Sequence, residues 1–318
     1  MFKSAIVTTL IKSNHVLDSF IRYHQSIGFS YIFLFFDDPQ EIMQFNFSNY
    51  ENVIIVPVDE TLRARWKSSR LFTMAQGYKE YVDIEVMARQ MLNVQIAIEM
   101  SLEIGIDWIL HIDSDELFFC PGKEVNNHFQ QMENRGLTAV QYLNFEAIVT
   151  QFEVRDFFKE MTFFKKHPAL LISHQHEFIK TEQRYNSLPL YFLFYMIGKS
   201  SARINPELLP KDVHSFYTLH EPYTDPDCCV LHYPICGFSN FLTKYKVLGK
   251  FNDKWFGHRQ INLPFHLLSR DVYQKNDESF MRDFYKKYVI FPEGKELDNW
   301  LKNDIIVKID EPFNILNN

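Results

Sequence analysis

The sequence predicts an α/β fold: a mainly parallel sheet flanked by helices, with an irregular, α-rich C-terminal part. Three observations predict it. Apolar runs of strand length recur at Ala5–Leu10, Tyr31–Phe36, Val53–Val58, Trp108–Ile112 and Ala139–Phe145. Patterns of helical period lie between some of them, and strands alternating with helices make parallel sheets. One run, Trp108-Ile109-Leu110-His111-Ile112, ends abruptly in Asp113-Ser114-Asp115. In open α/β sheets, ligands bind at the carboxyl ends of strands.

In chain order, the first strand is followed by His15–Ile27, where Val16, Leu17, Phe20, Ile21 and Ile27 fall near helical spacing and Gly28 supplies the stop. The segment Thr61–Tyr78 is polar and basic, with Arg63, Arg65, Lys67 and Arg70 around Trp66, and reads as a long loop near a substrate or a solvated excursion. A long helix is expected from about Tyr81 to Ile104, with an apolar stripe of Met87, Met91, Val94, Ile98 and Leu102 and Gly105 as its end. The Trp108 run, between Gly105 and Pro121-Gly122, reads as a buried central strand. After about residue 150 the pattern becomes irregular, and helices are expected near Ser239–Lys250 and Ser279–Tyr288.

Composition narrows the function. A hydrophobic content of 46% suits a large core, and the 31 Phe are mostly core material. A formal charge of −7 gives no support to nucleic-acid or anionic-membrane binding. Cys120, Cys228, Cys229 and Cys236 lack zinc-ribbon spacing and read as reduced thiols, with a zinc site from Cys228, Cys236 and His232 as the minor alternative. The N-terminus enters a strand directly and no apolar run reaches the roughly 18 residues of a membrane span. A soluble, cytoplasmic protein without a transmembrane segment is therefore expected.

Two carboxylates at a buried strand end suit a hard divalent cation and, through it, phosphate oxygens. The chain's other Asp-x-Asp, Asp225-Pro226-Asp227, sits in a polar loop and reads as a solvated turn.

Four stretches then carry a resemblance. The first runs from Thr8-Thr9-Leu10-Ile11-Lys12-Ser13-Asn14 to Tyr23-His24-Gln25-Ser26-Ile27-Gly28 and a strand closing on Asp37-Asp38. The second is Gln90 and Asn93 before the Asp113-Ser114-Asp115-Glu116-Leu117 end. The third is Gly198-Lys199-Ser200-Ser201-Ala202-Arg203 with His214-Ser215. The fourth is His232-Tyr233 with Ser239-Asn240-Phe241-Leu242-Thr243-Lys244. In this order they resemble the GT-A (Rossmann-like) fold of nucleotide-sugar-dependent glycosyltransferases, most of all glycosyltransferase family 92 and its family 2-like relatives. One departure is His15, where the pattern has Glu. The resemblance implies a GT-A-like domain over residues 1–250, with 251–318 a helical extension packed on the same domain.

The resemblance also implies roles. Asp115 is the direct metal ligand and Asp113 binds metal through water or the ribose; the ion is Mn²⁺ or Mg²⁺. His232 completes the metal shell or is a hydrogen-bonded core residue. Asp37 or Asp38 accepts hydrogen bonds from base or ribose, though Asp-Asp-Pro-Gln is also an ordinary turn. Thr9 and Asn93 line the nucleotide, with Arg89 a weaker neighbour. Lys199, Arg203 and Lys244 are diphosphate candidates. Inversion needs a general base: Glu146 first, Glu177 second, Glu116 third. His111 reads as structural. The implied activity is metal-dependent, inverting transfer of a hexose, with galactose the named example, from a UDP-sugar to a hydroxyl of a glycan or glycoconjugate acceptor. The alternative is a non-catalytic nucleotide- or glycan-binding relative of the same fold.

Overall fold

The computed structural model describes residues 2–12, 14–74, 78–186, 191–248 and 251–317. Along the chain come β1 (Ser4–Leu10), α1 (Asn14–Ser26), β2 (Tyr31–Phe36), β3 (Val53–Pro57), α2 (Glu60–Ser68), α3 (Arg70–Met74), α4 (Tyr78–Tyr81) and α5 (Val86–Ile104). Then follow β4 (Trp108–His111), β5 (Glu116–Phe119), α6 (Val125–Asn134), β6 (Ala139–Tyr142), β7 (Asn144–Ala147), α7 (Phe157–Glu160), β8 (Phe163–Lys165) and α8 (Ser173–Asn186). The rest is β9 (Lys199–Arg203), β10 (Pro210–Asp212), β11 (Ser215–Phe216), β12 (Tyr223–Thr224), β13 (Cys229–His232), α9 (Phe238–Leu248), β14 (Lys254–Trp255) and β15 (Arg259–Gln260). It closes with α10 (Pro264–Gln274), α11 (Glu278–Tyr288), α12 (Lys295–Lys302), β16 (Ile306–Lys308) and α13 (Glu311–Asn317).

Contacts divide the chain into two compact units: Met1–Leu143 with Ile197–Val230, and Asn144–Met196 with Leu231–Asn318. The first unit holds a seven-stranded sheet in the order β12-β6-β9-β4-β1-β2-β3. Strands β3, β2, β1 and β4 are mutually parallel, while β9 runs antiparallel to both β4 and β6. The fold is thus mixed α/β with a mostly parallel sheet flanked by helices. Every residue of β1 is buried, as a central strand covered on both faces requires.

The helices follow the apolar stripes. Val16, Leu17, Phe20 and Ile21 seat α1 on the sheet. Tyr23 and His24 pin its last turn to β5: the Tyr23 hydroxyl donates to the Phe118 carbonyl (3.1 Å), and the Phe118 N–H donates to His24 Nε2 (3.2 Å). His24 Nδ1 donates to Phe20 O at 2.8 Å, and burial pushes this imidazole down to about 3, so it stays neutral. Helix α5 starts at Val86, later than Tyr81, and ends at Gly105 in the left-handed region (φ 68°), where the N–H reaches Ser101 O. Its stripe holds at Met91, Val94 and Ile98, but Leu102 is exposed.

The segment expected to be a loop, Thr61–Tyr78, is instead largely helical. Asp59 caps α2 by accepting from Leu62 N–H at 2.9 Å. Leu62, Trp66, Leu71 and Phe72 are buried, and Arg63, Lys67 and Arg70 decorate the outer side. The charged background masked four apolar anchors spaced for two short helices. The Trp66 indole N–H donates to Asn93 Oδ1 at 3.1 Å, and Asn93 Nδ2 donates to Thr9 Oγ at 3.0 Å. One buried amide therefore ties α2 to α5 and β1.

The run Ala139–Phe145 is not one strand. It breaks at Leu143, and the chain passes from the first unit to the second. In the second unit β7 pairs antiparallel with β8, and β8 with β16. Trp300 centres one of its cores, with Ile148, Phe291, Leu297 and Ile306. The expected helix at Ser239–Lys250 corresponds to α9, and its last two residues lie outside the described ones.

The cysteines also differ from expectation. Cys120 and Cys228 form a disulfide with Cα atoms 4.4 Å apart, while Cys229 and Cys236 are buried thiols. A separation of 108 residues hid this pairing from spacing arguments. Among the described residues no helix is long and apolar enough to cross a membrane.

Replacing Trp66 with Phe keeps most of the bulk but leaves Asn93 Oδ1 without its indole donor. Trp66→Phe is expected to lower unfolding free energy by about 1–3 kcal/mol in urea denaturation; an unchanged midpoint would mean the bond contributes nothing.

Candidate active site at the carboxyl edge of the first sheet

Strand β1 is followed in space by β2 on one side and β4 on the other, so the order of the parallel strands reverses there. This is the switch point at which open α/β sheets leave a crevice. The carboxyl ends are Leu10 and His111, and the next residues along β4 lead into Asp113.

Asp113 and Glu116 close a reciprocal turn. The Asp113 N–H donates to Glu116 Oε2 at 2.7 Å, and the Glu116 N–H donates to Asp113 O at 3.1 Å. The Asp113 carboxylate is held from two sides: Gln90 Nε2 on α5 donates to Oδ1, and Lys199 Nζ donates to Oδ2, both at 2.6 Å. Lys199 also donates to Val213 O at 3.2 Å and lies 3.6 Å from Glu116. Lys199 and Glu116 are wholly buried; the Asp113 side chain keeps 27% exposure.

The topology explains how Lys199 arrives. Because β9 runs antiparallel to β4 with Leu110 opposite Ser201, its first residue reaches the carboxyl end of β4. Gly198 makes the turn into β9 at φ 73°, and a Cβ there would run into the Tyr142 carbonyl oxygen. His214 Nδ1 donates to the Gly198 carbonyl at 2.9 Å and steadies the turn.

The charges depend on one another. Burial opposes the charged form of Asp113, but the Lys199 ammonium, together with His111 and His214, holds the carboxyl below the usual range. Burial likewise works against the Lys199 ammonium, and Asp113 and Glu116 lift it above its ordinary value. Burial drives Glu116 well above the carboxylate range despite Lys199, and its Oε1 accepts no hydrogen bond. His111 is pushed down to about 3 by burial and by Lys199.

Asp115 is half-buried two residues beyond Asp113. Three carboxyl groups, those of Asp113, Asp115 and Glu116, fall within four residues at this strand end, beside one internal ammonium. Gln90 and Lys199 already bond both Asp113 oxygens. Carboxylate oxygens are the ligand type that a hard divalent cation takes.

The other expected residues divide clearly. Asp37 lies at the carboxyl end of β2, where Arg89 engages it with two nitrogens, Nη2 to Oδ2 at 2.9 Å. Asp38 caps the following turn through Gln40 N–H and pairs with Lys12 at 3.1 Å. Thr9 and Asn93 are the buried bridge to Trp66. Arg203 is not brought to this edge: it sits opposite Trp108, about 13 Å along β9 from Lys199, and pairs with Glu133 at 2.8 Å.

The remaining candidates belong to the second unit. Glu146 is buried, accepting from Lys165 Nζ (3.2 Å), Leu193 N–H (2.9 Å) and Phe194 N–H (3.0 Å). Glu177 is exposed on α8 and pairs with Lys180 at 2.7 Å. His232 ends β13, its ring against Tyr195 and Phe194. Lys244 Nζ donates to Pro234 O at 2.8 Å and lies over the Phe194 ring.

No family model matches the chain. Two glycosyltransferase-like proteins of Arabidopsis thaliana are each 24% identical to it, over 306 and 308 residues. Both alignments cover 93% of this chain, and they cover 59% of one relative and 68% of the other. The chain therefore spans little more than half the length of the first. Among solved structures, core-mannan synthase A from Aspergillus fumigatus in its Mn/GDP form is 12% identical, covering 59% of this chain and 49% of that one, with a TM-score of 0.27. The mannosyltransferase Ktr4p of S. cerevisiae is 13% identical, covering 48% and 41%, also with a TM-score of 0.27.

Removing the buried ammonium should cost far more than a surface charge. Lys199→Met is expected to destabilise by about 3–5 kcal/mol, and adding Asp113→Asn should recover part of the loss; additive penalties in a double-mutant cycle would refute the coupling. A second prediction concerns pH. Because the folded Glu116 titrates above its unfolded value, its stabilising contribution is complete below the unfolded value and fades as pH rises through the folded one. Glu116→Gln should therefore gain stability relative to the parent as pH rises above the ordinary carboxylate range in urea denaturation, and a pH-independent difference would contradict the assignment.

Proposed function

We propose that this chain binds a nucleotide-sugar at the carboxyl edge of β1 and β4 and transfers its glycosyl group to a hydroxyl of a glycan or glycoconjugate. The observation that carries the reading is the Asp113/Asp115 pair at the topological switch point, with Asp113 locked by Lys199 and Gln90. The names of the Arabidopsis relatives support the same class of chemistry, and the order of motifs supports a GT-A-type transferase. We extend the proposal to a UDP-sugar donor, a hexose and inversion at the anomeric carbon.

Asp115 would hold Mn²⁺ or Mg²⁺, and Asp113 would face it through water. When bound, such a cation offsets the charge that develops on the diphosphate leaving group. Lys199 acts differently from a phosphate ligand: wholly buried on Asp113, it fixes that carboxylate's position and charge. Asp37, gripped by Arg89, and Thr9, gripped by Asn93, are pre-positioned to line the nucleotide. The resemblance proposes His232 as a metal ligand and Lys244 as a phosphate contact, both residues of the second unit.

The base that takes the acceptor proton is proposed among Glu146 and Glu177. Both Glu146 oxygens are held by core donors, and Glu177 is paired on an open helix face. These placements favour, as a second reading, a nucleotide- or glycan-binding protein that does not turn over.

Calorimetric titration of UDP and GDP with and without Mn²⁺ tests the site. The expected result is metal-dependent binding that weakens at least about 100-fold in Asp115→Asn while circular dichroism stays unchanged. Retained Mn²⁺-dependent donor turnover in that variant would sink the assignment. Metal-dependent binding without release of nucleotide from any donor and acceptor pair would select the second reading.

A further inference from the structure

A second cluster lies elsewhere in the first unit. The Sγ atoms of Cys120 and Cys228 and a ring nitrogen of His128 all fall within 4.8 Å of one another, and all three residues are buried. Cys120 follows β5, His128 lies on α6 and Cys228 precedes β13, so three separate elements converge. His128 Nδ1 is 3.7 Å from Cys228 Sγ. Around a tetrahedral ion with Zn–S near 2.3 Å and Zn–N near 2.0–2.1 Å, the N···S edge is about 3.5 Å. The spacing is already that of two ligands on one cation.

The imidazole is also oriented for ligation. Its Nε2 lies 2.9 Å from the Tyr142 hydroxyl, which in turn lies 3.2 Å from Ser201 Oγ. The tautomer that donates from Nε2 to Tyr142 turns the Nδ1 lone pair toward the sulfurs. A hydrogen-bond acceptor behind a ligating histidine fixes its tautomer and tilt, and here the Tyr142 hydroxyl takes that place. A disulfide sulfur is a weak partner for a wholly buried ring nitrogen. A cation would use that nitrogen fully. Two thiolates and a divalent ion sum to zero charge, which suits a buried site.

We propose that Cys120, Cys228 and His128 bind one divalent cation of the Zn²⁺ class once the Cys120–Cys228 bond is reduced. The three residues would then serve either as a covalent staple or as a metal centre, distinct from the oxygen-only site at Asp115. The exchange balances: a dithiol reductant cleaves the S–S bond and is itself oxidised to a disulfide, leaving two thiols. The cation takes both sulfurs as thiolates and releases their two protons.

The test is a Co²⁺ titration of the full chain after reduction with a phosphine and its removal. The expected result is one equivalent bound with thiolate-to-cobalt charge transfer in the near-ultraviolet, a signature that carboxylates cannot produce. The band should survive Cys229→Ser and Cys236→Ser, vanish in Cys228→Ser, and be absent from the unreduced protein. Should Cys228→Ser not fold, Tyr142→Phe reports instead, with Co²⁺ affinity falling about 10- to 100-fold. A reduced, folded protein with titratable thiols and no charge-transfer band would overturn the proposal, leaving a structural disulfide only. A band that persists in folded Cys228→Ser, or is indifferent to Tyr142→Phe, would overturn it equally.

Discussion

The first unit is organised around the ammonium of Lys199. A charge removed from water must find an opposite charge within the fold, and Lys199 finds Asp113 at 2.6 Å, with the Glu116 carboxyl 3.6 Å away. None of the three would be tolerable there alone. Their mutual dependence requires β9 to run against β4 and start where β4 ends, and it requires Gly198 to make the turn. A site read from the sequence as two carboxylates is, in the structure, a cluster in which Asp113 is bonded by Lys199 and Gln90.

The same economy governs the neighbouring polar groups. Asp37, Thr9 and Asn93 were singled out as nucleotide contacts, yet each already has a defined partner: Arg89, Asn93 and Trp66 in turn. Buried polar groups must be satisfied internally, and satisfying them holds the carboxyl edge in one arrangement. Preorganisation of this kind is what a binding edge needs, so bracing and lining are compatible roles. Arg203 is different. Its strand carries it away from the edge, and Glu133 takes its charge.

The second unit surrounds its buried polar groups with partners. The Glu146 carboxylate gathers Lys165 and two backbone N–H groups. The abundant phenylalanines likewise pack on one another and on tyrosines, as in the Phe238, Phe241 and Tyr285 group of α9 and α11.

Period and punctuation alone determined the parallel β-α-β character, helix α1, the apolar stripe and Gly105 stop of α5, and the carboxylates at the end of β4. These are local patterns, written in residues close in the chain. The helices α2 and α3 were lost because charge outnumbered their four apolar anchors. The Cys120–Cys228 bond, the Tyr142–His128 contact and the Lys199–Asp113 pair span 108, 14 and 86 residues. Which distant side chain neutralises a buried charge depends on strand order and register, and no local spacing encodes that. Hence the sequence pointed to Asp113 and Asp115, and only the tertiary structure showed that Lys199 holds the first and that the cysteines gather around a histidine.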